Sequence, residues 1–179
     1  GLFGSIRYAE IKNVKLTDID LTGGTYAGGL IGRNRYSHVS NCYTTGYLLG
    51  NTHVGGLIGR HCSSSTVSSC YSSVIVNGVS LVGGLSGENT GAAIISDSYA
   101  TGTATGTHNV GGLVGNSTNA TITNCYSTGY VSGESIVGGL LGYNDLSIIN
   151  NSYWDIGTSG QIESAGGEGR STEDMTYPY

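Results

Sequence analysis

Val54-Gly55-Gly56-Leu57-Ile58-Gly59 decides the fold, because it is one of a series. The block returns as Ala27-Gly28-Gly29-Leu30-Ile31-Gly32, Val82-Gly83-Gly84-Leu85-Ser86-Gly87, Val110-Gly111-Gly112-Leu113-Val114-Gly115 and Val137-Gly138-Gly139-Leu140-Leu141-Gly142. A partial copy, Gly1-Leu2-Phe3-Gly4, opens the chain, and the steps between copies are 28, 27, 28, 28 and 27 residues. A second block keeps the same beat: Val39-Ser40-Asn41-Cys42-Tyr43, Val67-Ser68-Ser69-Cys70-Tyr71, Ile95-Ser96-Asp97-Ser98-Tyr99, Ile122-Thr123-Asn124-Cys125-Tyr126 and Ile149-Asn150-Asn151-Ser152-Tyr153. A fixed period of this kind marks an architecture whose units bury their apolar faces only against one another.

The period varies at one place. From each GGLxG block to the next Val or Ile the gap changes by one residue, as an exposed loop allows. Arg33-Asn34-Arg35-Tyr36-Ser37-His38 and Arg60-His61-Cys62-Ser63-Ser64-Ser65 are read as two of these loops. Each repeat holds only short β-prone runs cut by glycine. Glycine at this density would cost about 1 kcal/mol per residue inside a helix, so short strands fit better. Stacked coils place matching residues about 4.8 Å apart. The expectation is an all-β, right-handed parallel β-solenoid of about six coils, with three strands and three corners in each repeat. Its handedness follows the usual sense of parallel crossovers, and its length would be roughly 29 Å. Residues 1–153 form the repeats and 154–179 a non-repeat C-terminal cap or tail, which holds the only Trp, Pro and Met.

Columns of like residues support the stack. Val39, Val67, Ile95, Ile122 and Ile149 form one apolar file, Ala27, Val54, Val82, Val110 and Val137 another, and the Leu of GGLxG a third. The glycine pairs between two of these files, Gly28-Gly29, Gly55-Gly56, Gly83-Gly84, Gly111-Gly112 and Gly138-Gly139, are expected to be bends at positive φ. Beside the Leu file run Phe3, Ile31, Ile58, Val114 and Leu141, interrupted by Ser86. In a regular strand one of these two files would face out. With Leu2 and Phe3 at the first rung, that stripe is a candidate self-association surface.

Composition narrows the function. The 179 residues include 32 Gly, and only 11% are charged, against roughly 25% in an ordinary domain. A net charge of −5 with seven Lys+Arg argues against a nucleic-acid surface. No apolar run has the length of a membrane helix. Few charges and many Ser, Thr, Asn and Tyr point to the extracellular side. A first residue that is not Met suggests a processed chain or a fragment.

The recurring GGLxG followed by N-C-Y-x-T-G resembles the GLUG repeat of bacterial secreted and surface proteins, among them adhesins and immunoglobulin-cleaving metallopeptidases. The ending Tyr153-Trp154-Asp155, Thr158-Ser159-Gly160-Gln161 and Ser164-Ala165-Gly166-Gly167 resembles the segment that follows the last repeat in such proteins. The resemblance covers nearly the whole chain. It implies repeats that accompany an active part, and nothing in the chain resembles the peptidase domain.

Sites of chemistry are sparse. Cys42, Cys70 and Cys125 share a column with Ser98 and Ser152, which favours a small packed position over a disulfide or metal rung, although Cys42 and Cys70 lie one coil apart. Cys62 is expected to be a free loop thiol, and His38, His53, His61 and His108 to be solvated. Asp18 and Asp20, with Glu10 nearby, read as solvated charges, so no catalytic residue, metal or cofactor is assigned. A hydroxyl file, Thr45, Ser73, Thr101 and Thr128, would suit an ice-binding plane, but the file beside it (Tyr47, Ile75, Thr103, Tyr130) breaks the regularity.

The exposed candidate is the column Tyr43, Tyr71, Tyr99, Tyr126 and Tyr153, a stabilising ladder or a glycan- or surface-binding strip. The sequence therefore points to a non-enzymatic extracellular structural protein, a self-associating fibre subunit or adhesive stalk on the cell surface. Its partners would be other copies or upstream repeats. The alternative is a carbohydrate- or surface-binding module.

Overall fold

The computed structural model describes residues 1–176; Tyr177, Pro178 and Tyr179 of the expected cap lie outside the described residues. The chain is a parallel β-solenoid, and its coils have four strands rather than the expected three. One coil runs through His38–Ser40, Tyr43–Leu49, Thr52–Gly55 and Ile58–Cys62. Each strand pairs in parallel with its equivalent one coil on, for example Val67 with Val39 and Ile95, and Tyr71 with Tyr43 and Tyr99. The first face begins with Phe3–Arg7 and Ile31–Arg35 and has six strands, as does the second, which begins with Glu10–Lys12. The third, beginning with Lys15–Thr22, has nine strands and the fourth, beginning with Ala27–Gly28, has five.

Non-glycine residues at positive φ turn the chain. Asn13, Asn41, Ser69, Asp97, Asn124 and Asn151 stack at the corner before the Cys/Ser column. Tyr26, His53, Leu81, Asn109 and Ile136 stack at the start of the fourth face, one residue before or inside its strands. Tyr8, Tyr36, Ser64, Ala92, Asn119 and Leu146 turn the chain between the first and second. Where a coil has one residue more, Ser63 or Gly91 takes a second positive φ beside Ser64 or Ala92. The length variation is absorbed within that corner, except in the first coil, where the extra residue is taken up in the third-face strand by a register shift between Leu16 and Ile19, with Asp18 at positive φ.

The second glycine of each pair lies at a bend, as expected, but the positive φ expected of these residues is absent. None of Gly28, Gly29, Gly55, Gly56, Gly83, Gly84, Gly111, Gly112, Gly138 or Gly139 has a positive φ. They are glycines because the coil is pinched there. A Cβ on Gly56 would strike Ser72 Oγ and the Gly84 carbonyl, and one on Gly84 would lie 2.9 Å from Ala100 Cβ. Opposite the second glycine of each pair stand Thr44, Ser72, Ala100 and Ser127, all buried and small. Thr44 donates to the Gly56 carbonyl (2.9 Å) and Ser127 to that of Gly139 (2.6 Å). This waist divides the core into two apolar columns. The larger contains Leu30, Ile31, Val39 and their equivalents; the smaller contains Val54, Val74, Val76, Val82 and Val110.

The pinch also corrects the expected apolar stripe. The chain bends at Gly29-Leu30 and its equivalents, so the strand does not alternate regularly there and both files turn inward. Leu30, Ile31, Ile58, Val114 and Leu141 are all buried, Phe3 is partly buried against the same core, and only Leu2 is exposed. Ile31, Ile58, Val114 and Leu141 therefore offer nothing to a partner. The segments expected as loops begin as strands: Ile31–Arg35 and Ile58–Cys62 belong to the first face. Alternation along them buries Asn34, His61, Asn89 and Ser117 in one file.

The waist column ends in Trp154, whose ring lies where a Cβ on Gly139 would be. Small residues keep the pinch open to the next coil, and the indole closes it. Tyr153–Asp155 continues the third face across the expected 153/154 boundary, and Glu168–Arg170 adds a further rung beside it. Buried Asp155 holds the return segment together. Its carboxylate accepts from the backbone N–H groups of Gly157 (2.8 Å) and Thr158 (3.1 Å), capping the short helix Ile156–Ser159, and from Thr172 Oγ1 (2.9 Å).

Candidate functional site

The tyrosine column lies on the third face, next in sequence to the inward Cys/Ser column, so alternation turns it outward. Its rings stack on one another. Tyr43–Tyr71, Tyr71–Tyr99 and Tyr99–Tyr126 have centroid separations of 4.6, 4.9 and 4.8 Å and interplanar angles of 12°, 1° and 5°. Neighbours and burial raise the phenol pKa of Tyr71 and Tyr126, with loss of solvent the larger cause in both. Lys15 lies over the outer face of this stack, 5.6 Å from the Tyr43 ring. Tyr153 is in register with Tyr126, but the Arg170 guanidinium packs on its ring at 3.5 Å. Between Tyr126 and Tyr153 is a depression of about 290 Å³, also lined by Asn124, Cys125 and Asn151.

The Cys/Ser column serves the corner behind the ladder. Cys42, Cys70 and Cys125 donate to the carbonyls of Ser40, Ser68 and Thr123 at 3.1–3.2 Å, as Ser98 and Ser152 do to Ser96 and Asn150 at 2.6 and 2.7 Å. Each also accepts a backbone N–H from the preceding coil, as Cys70 does from Cys42 and Ser152 from Cys125. Thiol and hydroxyl are interchangeable because both satisfy the same two backbone groups. All four cysteines are free. Contact with Cys42 and burial push the Cys70 thiol up, and burial pushes Cys125 up to about 12. Cys62 is buried, contrary to the loop thiol expected of it.

His61 also departs from expectation: it is wholly buried. Its Nδ1 lies 3.1 Å from the Asn34 amide nitrogen and its Nε2 3.1 Å from the Ile94 carbonyl. The amide can only donate and the carbonyl only accept, so Nδ1 is the acceptor and Nε2 carries the proton. Burial pushes His61 down to about 4. His38 and His108 lie at the surface on Thr66 and Ser135, and His53 is partly buried beside Glu88. Asp18 and Asp20 are exposed. Among the described residues no group of three or more His, Cys, Asp or Glu could hold a metal ion, and no helix is long and apolar enough to cross a membrane.

One surface was not singled out from the sequence. With Ile31–Arg35 in a strand, alternation puts Arg33 and Arg35 on the outside of the first face, next to Arg60 and Arg7 of the neighbouring coils. Extending the strand beyond GGLxG would have revealed it; reading those residues as a loop hid it.

The GLUG motif family matches residues 23–46, 78–105 and 106–132, each covering a coil or most of one. Three of the repeats therefore carry the GLUG motif. No curated protein matches the chain in sequence. Among solved structures, this chain is similar to a Bacteroides ovatus protein described as a candidate immunoglobulin A1 protease, with a TM-score of 0.79 and 21% identity. The match covers 96% of this chain and 63% of that one, so this chain spans less than two thirds of that protein's length. At that identity the likeness is one of fold.

Proposed function

We propose that this GLUG-repeat solenoid is a non-catalytic spacer or adhesive stalk of a bacterial extracellular or cell-surface protein. The observation that carries the reading is the register of the first two faces, which runs unbroken through six rungs with each residue beside its counterpart. Such an object is a stiff rod whose length is set by coil number. The fold it shares with part of a longer protein agrees with a module placed beside others. Lateral fibre formation through Phe3, Ile31, Ile58, Val114 and Leu141 loses its basis, since the last four are buried.

The tyrosine column fits a stabilising role better than a glycan strip. Ring faces are what a sugar stacks on, and in Tyr43, Tyr71, Tyr99 and Tyr126 they are largely turned to one another. Two measurements test the proposal. Small-angle X-ray scattering should return a single short rod; filaments would overturn it in favour of a fibre subunit. Incubation with immunoglobulin A1 should leave the antibody intact, and cleavage would overturn the non-catalytic reading.

A further inference from the structure

The first face carries a cluster of cations that the fold itself does not neutralise. Arg33 and Arg60 are register neighbours, as are Arg7 and Arg35. Arg33 and Arg35 lie two residues apart on one strand, on its outward side. Four guanidinium-bearing positions thus occupy a patch with spacings of about 4.8 Å between rungs and 6.6 Å along the strand. Like charges directly opposite one another across a sheet are destabilising. These four are most of the chain's seven Lys+Arg, in a protein of net charge −5.

Internal compensation is small. Glu88, one rung further on, ion-pairs with Arg60 and lies 3.5 Å from His53. Among the described residues no carboxylate pairs with Arg7, Arg33 or Arg35, and the buried Nε atoms of Arg33 and Arg35 meet no hydrogen-bond acceptor. The guanidinium groups of Arg7, Arg33 and Arg60 are instead laid against tyrosines at the two borders of the face. Arg7 lies 4.7 Å from the Tyr8 ring and 5.4 Å from that of Tyr36, and these two rings stack at 5.2 Å. At the other border Arg33 and Arg60 lie 5.6 and 5.9 Å from the Tyr26 ring. Tyr8 is 70% and Tyr36 44% exposed, so their surface remains open to a ligand.

We propose that Arg7, Arg33, Arg35 and Arg60, bordered by Tyr8, Tyr36 and Tyr26, form a binding face for an acidic polysaccharide bearing carboxylate or sulfate groups. Charge complementarity carries the choice of partner: fixed guanidinium groups recognise carboxylate and sulfate oxygens by paired hydrogen bonds. The bordering tyrosines add apolar surface against which sugar rings pack, which a simple anion would not use. This goes beyond the stalk reading and does not depend on it, because a free module could bind in the same way.

The test is calorimetric titration of the purified chain with a heparin-derived octasaccharide and with oligogalacturonate. Neutral cello-oligosaccharide and oligo-dT serve as comparisons. At least one acidic oligosaccharide should bind, more weakly as salt rises, and the neutral sugar should not. R33Q/R35Q should weaken binding by about tenfold or more. K12Q/K15Q, which removes the same charge from other faces, should leave it within about twofold. R33K/R35K, which keeps the charge, provides a second variant if the glutamine pair does not fold, and should bind more weakly than native because lysine loses the paired geometry. Failure of both acidic oligosaccharides to bind at low salt would overturn the proposal. Equal losses in R33Q/R35Q and K12Q/K15Q, native affinity in R33K/R35K, or tighter binding of oligo-dT than of either glycan would also do so.

Discussion

Individual glycines and one histidine show how closely residue identity is fixed. Gly56 faces Ser72 across the waist and has the Gly84 carbonyl beside it, with no room for a methyl group, whereas Gly4 has nothing within 4 Å of a Cβ. Gly56→Ala should cost roughly 1–3 kcal/mol by overpacking, and Gly4→Ala should be neutral or slightly stabilising. Urea titration of the two variants decides this; equal stabilities would mean that the waist can open. His61 makes a pH-dependent prediction. Its folded pKa, about 4, is below the usual 6.5, so the unfolded chain binds the proton more readily. Stability attributable to His61 is complete above pH 6.5 and is lost as pH falls from there to about 4, by ~3 kcal/mol in all. His53, also lowered by burial, contributes in the same direction. Melting at stepped pH should therefore show a shallower acid loss for His61→Gln than for the native chain, and parallel curves would refute the assignment.

Ladders are the unit at the scale of the element. Tyr99 stacks on two rings and Tyr126 on one of the same series. At about 0.5–1.5 kcal/mol per aromatic pair, Tyr99→Leu should destabilise about twice as much as Tyr126→Leu in chemical denaturation. Equal losses would show that the rings contribute by burial alone. The ladders were legible in the sequence because a column needs only a constant spacing, and spacing is visible in letters. The four-strand coil was not, because the corners are made by Asn, Ser, Asp, Tyr, Ala and Leu at positive φ, residues that carry no shared turn signal. The same ambiguity made strands look like loops after GGLxG and concealed both the buried Asn34–His61 pair and the outward arginines. Adjacent apolar letters such as Leu30 and Ile31 also cannot show that both face inward, since that depends on the bend between them.

For the whole molecule, the decisive event is termination. The column Thr44, Ser72, Ala100, Ser127 stays small while another coil follows, and Trp154 fills the space where the repeats give way to the return segment. Trp154→Ala should uncover the end of the larger core and cost ~3–5 kcal/mol, read as a lower melting temperature and greater binding of a hydrophobic dye. Unchanged melting would mean that the return segment closes the core without the indole. The corner at Ser63-Ser64 and Gly91-Ala92 has a different consequence. A residue can enter there without moving any rung, so 27- and 28-residue coils are equivalent as building units. Copying errors that duplicate or delete one coil, or one residue of this corner, leave every other contact as it was. The length of the rod is therefore free to change through inheritance, by about 4.8 Å per coil, while its packing is conserved.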